Sequence, residues 1–234
     1  AEGCVVIPGF VQAHVHLCQT LFRGTADGLP LLPWLRERIW PYEAAHDARS
    51  LRASARLGVA ELLRGGTTTI LDMGTVRHHD QVFEVLAESG MRAFSGKAMM
   101  DRGAGMPRGL RETRRESVAE SDRLRATWHG AAEDRLRYAY APRFVLSCSD
   151  ALLRDVSARV AGSDTLMHTH AAEHAEERRA VREQLGKEDI AALAECGITG
   201  PRAVLAHGVQ LRVAEIKRLA RAGTRVVHCP SANM

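Results

Sequence analysis

Cysteine is scarce in this chain: Cys4, Cys18, Cys148, Cys196 and Cys229 lie scattered over 234 residues. No two have C-x-x-C spacing, which excludes a disulfide-framework fold and a finger-type structural zinc site. Reduced thiols and a cytoplasmic location are the expectation. Long apolar runs are missing too. The apolar opening stretch is interrupted by Pro8, Gly9, Gln12, His14 and His16, well short of the roughly 18–20 residues of a membrane span. Neither a secretion signal nor a membrane partner is therefore expected. Charge of one sign is lacking as well, with 32 basic against 28 acidic residues and a net charge of +4. The densest basic stretch, Arg111–Glu116, is interleaved with acids and reads as a solvated helix face, so nucleic acid is not an expected partner.

What is present is the balance of a globular protein, 45% apolar and 26% charged, which excludes disorder or a fibre. Strand-like β-branched runs are predicted at Val11–His14, Thr67–Leu71, Arg92–Lys97, Leu136–Tyr140, Thr165–His170, Ala203–His207 and Arg225–His228. Helical patterns separate them at Ala48–Arg64, Gln81–Ser89, Arg111–Trp128, Ala151–Val160, Ala175–Gln184 and Val213–Ala222. In the last of these, Val213, Ile216, Leu219 and Ala220 form one apolar stripe. Gly66, Gly90 and Gly223 stand where helix C-caps belong. Alternating strands and helices predict a parallel sheet covered by helices, and seven strands match most of a (β/α)8 TIM-type barrel. The alternative, a doubly wound open sheet, normally carries a glycine-rich turn after its first strand, and none is present. Asp101–Gly109 is a glycine-rich loop, either a solvated connection or a mobile loop near the site.

Histidines recur at the strand ends. His14 and His16 follow the first strand, and residues i and i+2 of a strand point to the same side about 6–7 Å apart. In a barrel that end of the strand opens onto the active-site face. His170, His207 and His228 occupy three later strand ends, a recurrence that packing does not explain. Two or more imidazoles can converge on one ion there. Of His168 and His170, the second lies nearer the strand end and is followed by Glu173, placed to reach the same cavity without binding metal. A catalytic metal activates a water, and a neighbouring carboxylate can move the protons.

The stretches Pro8–His16, His168–Glu173, Ala206–Gly208 and His228–Asn233 resemble the amidohydrolase superfamily, and more narrowly its aminopurine and nucleoside deaminase branch. The resemblance implies that His14, His16 and His170 bind one divalent ion, Zn2+ or Fe2+. It further implies that Glu173 delivers a proton to a ring nitrogen and that His207 orients the water. The implied activity is hydrolytic deamination of a small aminopurine or nucleoside by a chain that forms a homo-oligomer. Two departures from the family pattern stand out: there is no accessory β-sandwich, and the chain ends after strand seven without the strand-eight aspartate ligand. Residues 1–234 are accordingly expected to be one barrel domain that is part of a longer protein.

Gln19 and Arg143 resemble positions that contact the purine edge in guanine deaminases. Glu43 resembles the ribose-gripping glutamate of deaminases acting on 5′-deoxyadenosine, methylthioadenosine and S-adenosylhomocysteine, and Trp34 could cover the ring. Leu17–Gly24 with Trp40-Pro41 is closest to the 5′-deoxyadenosine type. Guanine deamination, triazine-type dechlorination and a catalytically incomplete fragment are the alternatives. His46, His78, His79, His129 and His174 are expected to be solvated, His228 to be structural, and Cys18 and Cys148 to be packing residues.

Overall fold

The computed structural model describes residues 2–25 and 28–233. Eight parallel strands form one sheet that curls almost into a barrel, wrapped by helices. They are β1 (Phe10–Val15), β2 (Thr67–Met73), β3 (Arg92–Gly96), β4 (Ala98–Met99), β5 (Leu136–Pro142), β6 (Leu166–Ala171), β7 (Ala203–His207) and β8 (Arg225–Val227). The order is β1-β2-β3-β5-β6-β7-β8, and β4 pairs with β5 alone. Ser95 opposes Tyr138 and Met99 opposes Pro142, so β3 and β4 follow each other along the same edge of β5. They form a single barrel position interrupted at Lys97. The seven predicted strands are thus the seven ring positions, and the TIM-type expectation holds. Among the described residues, β1 and β8 each pair on one side only.

Near-continuous apolar strands follow from burial on both faces. Ile70, Ala93, Leu136, Ala139 and Leu205 are all buried. The helices start where side chains satisfy their first N–H groups. Asp47 and Ser50 form a reciprocal cap on helix Ala48–Arg64, as Thr113 and Glu116 do on helix Arg114–Trp128. The second cap explains why that helix begins three residues later than its periodicity predicts. Gly90 and Gly223 adopt the left-handed C-cap conformation. No helix among the described residues is long and apolar enough to cross a membrane.

Three differences from the sequence reading have physical causes. Leu31–Trp34, Leu35–Ile39 and Trp40–Ala44 form a run of short helical turns, the middle one of wide π type. Pro30, Pro33 and Pro41 obscure its period. Asp189–Glu195 is a further short helix. The apolar stripe of helix Val213–Ala222 buries only Leu219, while Val213 and Ile216 remain 68% and 51% exposed beside the half-paired β8.

Gly96 shows how closely the barrel strands approach. A Cβ on this residue would lie 1.8 Å from the Ala139 carbonyl oxygen. Gly96→Ala is expected to destabilise the fold by about 1–3 kcal/mol, the usual cost of overpacking. Urea unfolding checks this, and an unchanged midpoint would show that the strands can move apart freely.

Candidate metal centre

His14 lies on β1, His16 one residue past its end, and His170 on β6. Barrel curvature brings these distant stretches together, so that one nitrogen from each lies within 4.8 Å of the others. The ring centroids of His14 and His16 are 4.8 Å apart, those of His14 and His170 4.9 Å. His207 joins them at the end of β7, its ring 5.2 Å from His14 and 5.3 Å from His170.

Hydrogen bonding fixes which nitrogens face inward. His16 Nδ1 lies 2.7 Å from the Met73 carbonyl oxygen, and His170 Nδ1 lies 2.7 Å from that of Arg143. A carbonyl oxygen only accepts, so both Nδ1 atoms carry the proton and both Nε2 atoms present bare lone pairs. Those two Nε2 atoms face each other at 3.1 Å. An acceptor pressed against an acceptor needs a positive charge between them. A tetrahedral ion with nitrogens at about 2.0–2.1 Å separates them by about 3.3–3.4 Å, close to the observed spacing. The donor set therefore fits a divalent cation.

The electrostatics agree. Burial, followed by mutual repulsion among the rings and the charge of Arg143, holds His14, His16 and His170 well below the usual imidazole range. They are neutral near pH 7, the form that binds metal. His207 behaves oppositely. Burial pulls its pKa down, but its contacts with Cys229, Glu173 and Asn233 outweigh that and raise it. Cys229 also approaches His14 and His207. His14 belongs to both groups of potential ligands, so the two overlap.

Glu173 comes from the turn after β6. Its carboxylate Oε2 is 3.5 Å from His207 Nε2, and burial raises its pKa. Buried carboxylates hold its backbone. Asp189 accepts the Ala172 N–H at 2.7 Å, while Glu177 accepts those of Glu173 at 3.0 Å and His174 at 3.4 Å. Ala172 (φ 51°) and His207 (φ 77°) are both in the left-handed region, a strained geometry costing about 1–3 kcal/mol each.

His14, His16, His170, Glu173 and His207 line one cavity of about 680 Å³ together with Gln19, Trp34 and Arg143. That size suits a small-molecule site. Glu43, expected to grip a ribose, does not line this cavity. Its carboxylate is buried and receives Arg143 at 2.7 and 3.0 Å, Gln19 at 2.8 Å and Thr75 at 3.2 Å. A buried carboxylate must be paired, and here both oxygens are taken, leaving none for a ribose. Burial opposes ionisation of Glu43, but Arg143 and Gln19 outweigh it and lower its pKa.

Four histidines expected in solvent are placed otherwise. Half-buried His46 bonds the Cys18 carbonyl at 2.8 Å, and half-buried His129 accepts the Tyr138 N–H at 3.0 Å. His79 and His174 serve the site region. His79 is buried, with Nε2 2.9 Å from Ser95 Oγ, whose hydroxyl donates to Asp72. Asp72 in turn accepts the Leu17 N–H at 2.9 Å, directly after His16. Burial pushes His79 down to about 3 and Asp72 up to about 6. His174 lines the cavity and caps the helix Ala175–Leu185. Sequence reasoning missed the supporting roles of Asp72 and Glu177. The spacing His174-x-x-Glu177 at a helix start was the available signal for the latter.

Residues 5–234 match the profile of the amidohydrolase family. The chain belongs to the amidohydrolase family. It is 38% identical over 232 residues to a 5′-deoxyadenosine deaminase of Methanothermobacter thermautotrophicus, covering 99% of this chain and 52% of that protein. The guanine deaminase of E. coli superposes with a TM-score of 0.89 at 34% identity, over 97% of this chain and 52% of that one. An adenosine deaminase of Xanthomonas campestris with bound zinc gives 0.86 at 32% identity, over 97% and 50%. The chain thus spans about half the length of these relatives. The histidine donor set fits a divalent metal, and the Xanthomonas campestris relative holds zinc.

The Glu177 carboxyl supplies a pH test. Burial, then the charges of Asp189 and Glu173, pushes its pKa from the usual 4.5 to about 7. Between those values the folded chain binds a proton that the unfolded chain has released, so stability falls as pH rises through this window. Glu177→Gln cannot ionise and removes that contribution. Urea unfolding of both proteins at pH 5 and pH 7.5 should show the variant gaining on the parent at the higher pH. A difference independent of pH would contradict the assignment.

Proposed function

We propose that this chain carries the catalytic centre of a metal-dependent hydrolytic deaminase that releases ammonia from an aminopurine nucleoside of the 5′-deoxyadenosine or S-adenosylhomocysteine type. The observation that carries the reading is the convergence of two bare Nε2 lone pairs at 3.1 Å in the cavity that also holds Glu173. The 38% identity to a 5′-deoxyadenosine deaminase supports the substrate class.

His14, His16 and His170 would hold the ion, Zn2+ being our assignment because neutral imidazoles suit it. When bound, the cation supplies the Lewis acidity that makes a water nucleophilic near neutral pH. Glu173 takes a proton from the attacking water and passes it to the ring nitrogen next to the amine-bearing carbon. Its raised pKa suits a group that must both accept and return a proton. A C–O bond forms, the C–N bond breaks, and the amine leaves as ammonia with a second proton. His207, facing Glu173 at 3.5 Å, orients the water and stabilises negative charge on its oxygen. Trp34 covers the ring face. Gln19 turns its N–H2 to Glu43 and keeps its carbonyl oxygen for the substrate, while Arg143 offers the N–H groups not used on Glu43.

A second reading rests on a specific observation. Glu43 is fully engaged, whereas Gln19 and Arg143 line the cavity, so the recognised feature is the purine edge and guanine becomes the competing substrate. Ammonia release from 5′-deoxyadenosine, S-adenosylhomocysteine, adenosine and guanine discriminates the two. Turnover of the nucleosides supports the first reading, turnover of guanine alone replaces it with the second, and no release from any of them rejects both. Chelation should abolish turnover and Zn2+ restore it. Glu173→Gln should keep the metal and lose about 10²–10⁴-fold in kcat. Parental rates in that variant would remove Glu173 from the mechanism.

A further inference from the structure

His168 lies on β6 two residues before His170 and is completely buried. Its Nε2 is 2.9 Å from His14 Nδ1, with the two rings nearly perpendicular at 84°. Its own Nδ1 is buried without a hydrogen-bond partner. Side chains at i and i+2 of a strand share a face, so His168 sits on the same side of β6 as His170. It is absent from the groups able to converge on an ion and from the cavity lining.

The partner of His14 differs in kind from those of the other two candidate ligands. His16 and His170 donate to carbonyl oxygens, which leave only one tautomer possible. His14 meets another imidazole, which can either accept or donate. With the shared proton on His14 Nδ1, His168 Nε2 is the bare acceptor and His14 Nε2 is free to bind metal. With the proton on His168 Nε2, His14 must carry its own proton on Nε2, and it cannot act as a ligand through that atom. Either arrangement leaves His168 Nδ1 unpartnered, as a lone N–H in the first and a lone pair in the second.

We propose that His168 is a positioning residue for the metal centre. By accepting the Nδ1 proton of His14 it holds that ring in the orientation and tautomer that aim Nε2 at the cation. The proposal rests on the reading that the cavity holds a divalent ion. It assigns to a side chain what backbone carbonyls do for His16 and His170, and it accounts for a buried histidine that packing and ligation leave unexplained. Groups that orient ligating histidines typically contribute 10–100-fold to metal affinity.

The test is the Zn2+ dissociation constant, measured by competition with a chromogenic chelator, for the parent chain, His168→Leu and His168→Gln. Leu removes the acceptor, and affinity should fall about 10–100-fold. Gln places a carbonyl oxygen at similar reach and should restore affinity to within a few-fold of the parent. Leucine affinity equal to that of the parent, or Gln no better than Leu, overturns the proposal. Imidazole 15N spectra of the zinc-loaded parent give an independent reading that survives if the Leu variant fails to fold. His14 Nδ1 and His168 Nδ1 should be protonated, and a proton on His168 Nε2 rejects the assignment. A parent chain that takes up no Zn2+ would instead reject the metal reading itself, an outcome distinct from equal affinities in parent and variant.

Discussion

Two nitrogen lone pairs 3.1 Å apart repel unless positive charge lies between them, and the rest of the site is organised around that requirement. Protonating one ring would relieve it. Burial and the nearby Arg143 hold both rings well below the usual imidazole range, however, so near neutral pH that escape is closed. A cation is what remains. The polypeptide keeps an arrangement that is unfavourable by itself and that a bound cation would stabilise. His16 and His170 are 154 residues apart, and β1 and β6 are not neighbours in the sheet. Only the curl of the barrel makes them meet.

The scaffold under the ligands is equally specific. Strand ends supply carbonyls rather than flexible side chains to two of the three imidazoles, at Met73 and Arg143. The Leu17 N–H that follows His16 is anchored by Asp72, which is braced in turn by Ser95 and His79. On the opposite side, Asp189 and Glu177 clamp three successive N–H groups of the turn that presents Glu173. Each clamp uses a buried carboxylate on backbone donors, so each is costly to remove and contributes rigidity around the Glu173 turn, as the proposed proton transfer would need. The left-handed Ala172 and His207 belong to the same economy. Their strain is tolerated because neighbouring hydrogen bonds, such as Gly208 N–H to the Ala171 carbonyl and Gln210 N–H to that of Ala172, over-determine the two turns.

The strands were legible because β-branched runs bounded by glycine caps have few other readings, and all seven ring positions were found. The His14-Val15-His16 pair and the His170-Ala171-Ala172-Glu173 turn were legible because i, i+2 geometry at a strand end leaves little freedom to the side chains. What stayed hidden involves partners remote in the chain. Nothing local indicates that Glu43 pairs with Arg143 100 residues away, or that His168 turns to His14 across 154. His79 looked solvated because it falls in a loop before a predicted helix, yet Gly74, over which a Cβ would sit only 2.2 Å from the His79 ring, opens a pocket for it. The stripe of helix Val213–Ala222 had the right period, but periodicity does not say whether anything lies opposite to cover it.

Under the proposed function, the Glu43–Arg143 pair shapes what the cavity can recognise. Bidentate pairing neutralises a guanidinium that would otherwise attract anions, and Gln19 joins it through its N–H2. What faces the cavity from this wall is then a carbonyl oxygen beside N–H groups of a compensated cation, a donor–acceptor edge rather than a charge. Such an edge matches a neutral heterocycle that itself alternates N–H and lone pairs. It discriminates strongly against analogues that leave one of these groups unpaired. On the same proposed function, Glu43 would act on specificity without touching substrate, by setting the orientation of Gln19 and Arg143. Elsewhere on the cavity wall the Glu173 carboxylate faces His207 at 3.5 Å. Under the proposed function a purine edge would meet a wall that is polar and electrically balanced, away from the Glu173 carboxylate.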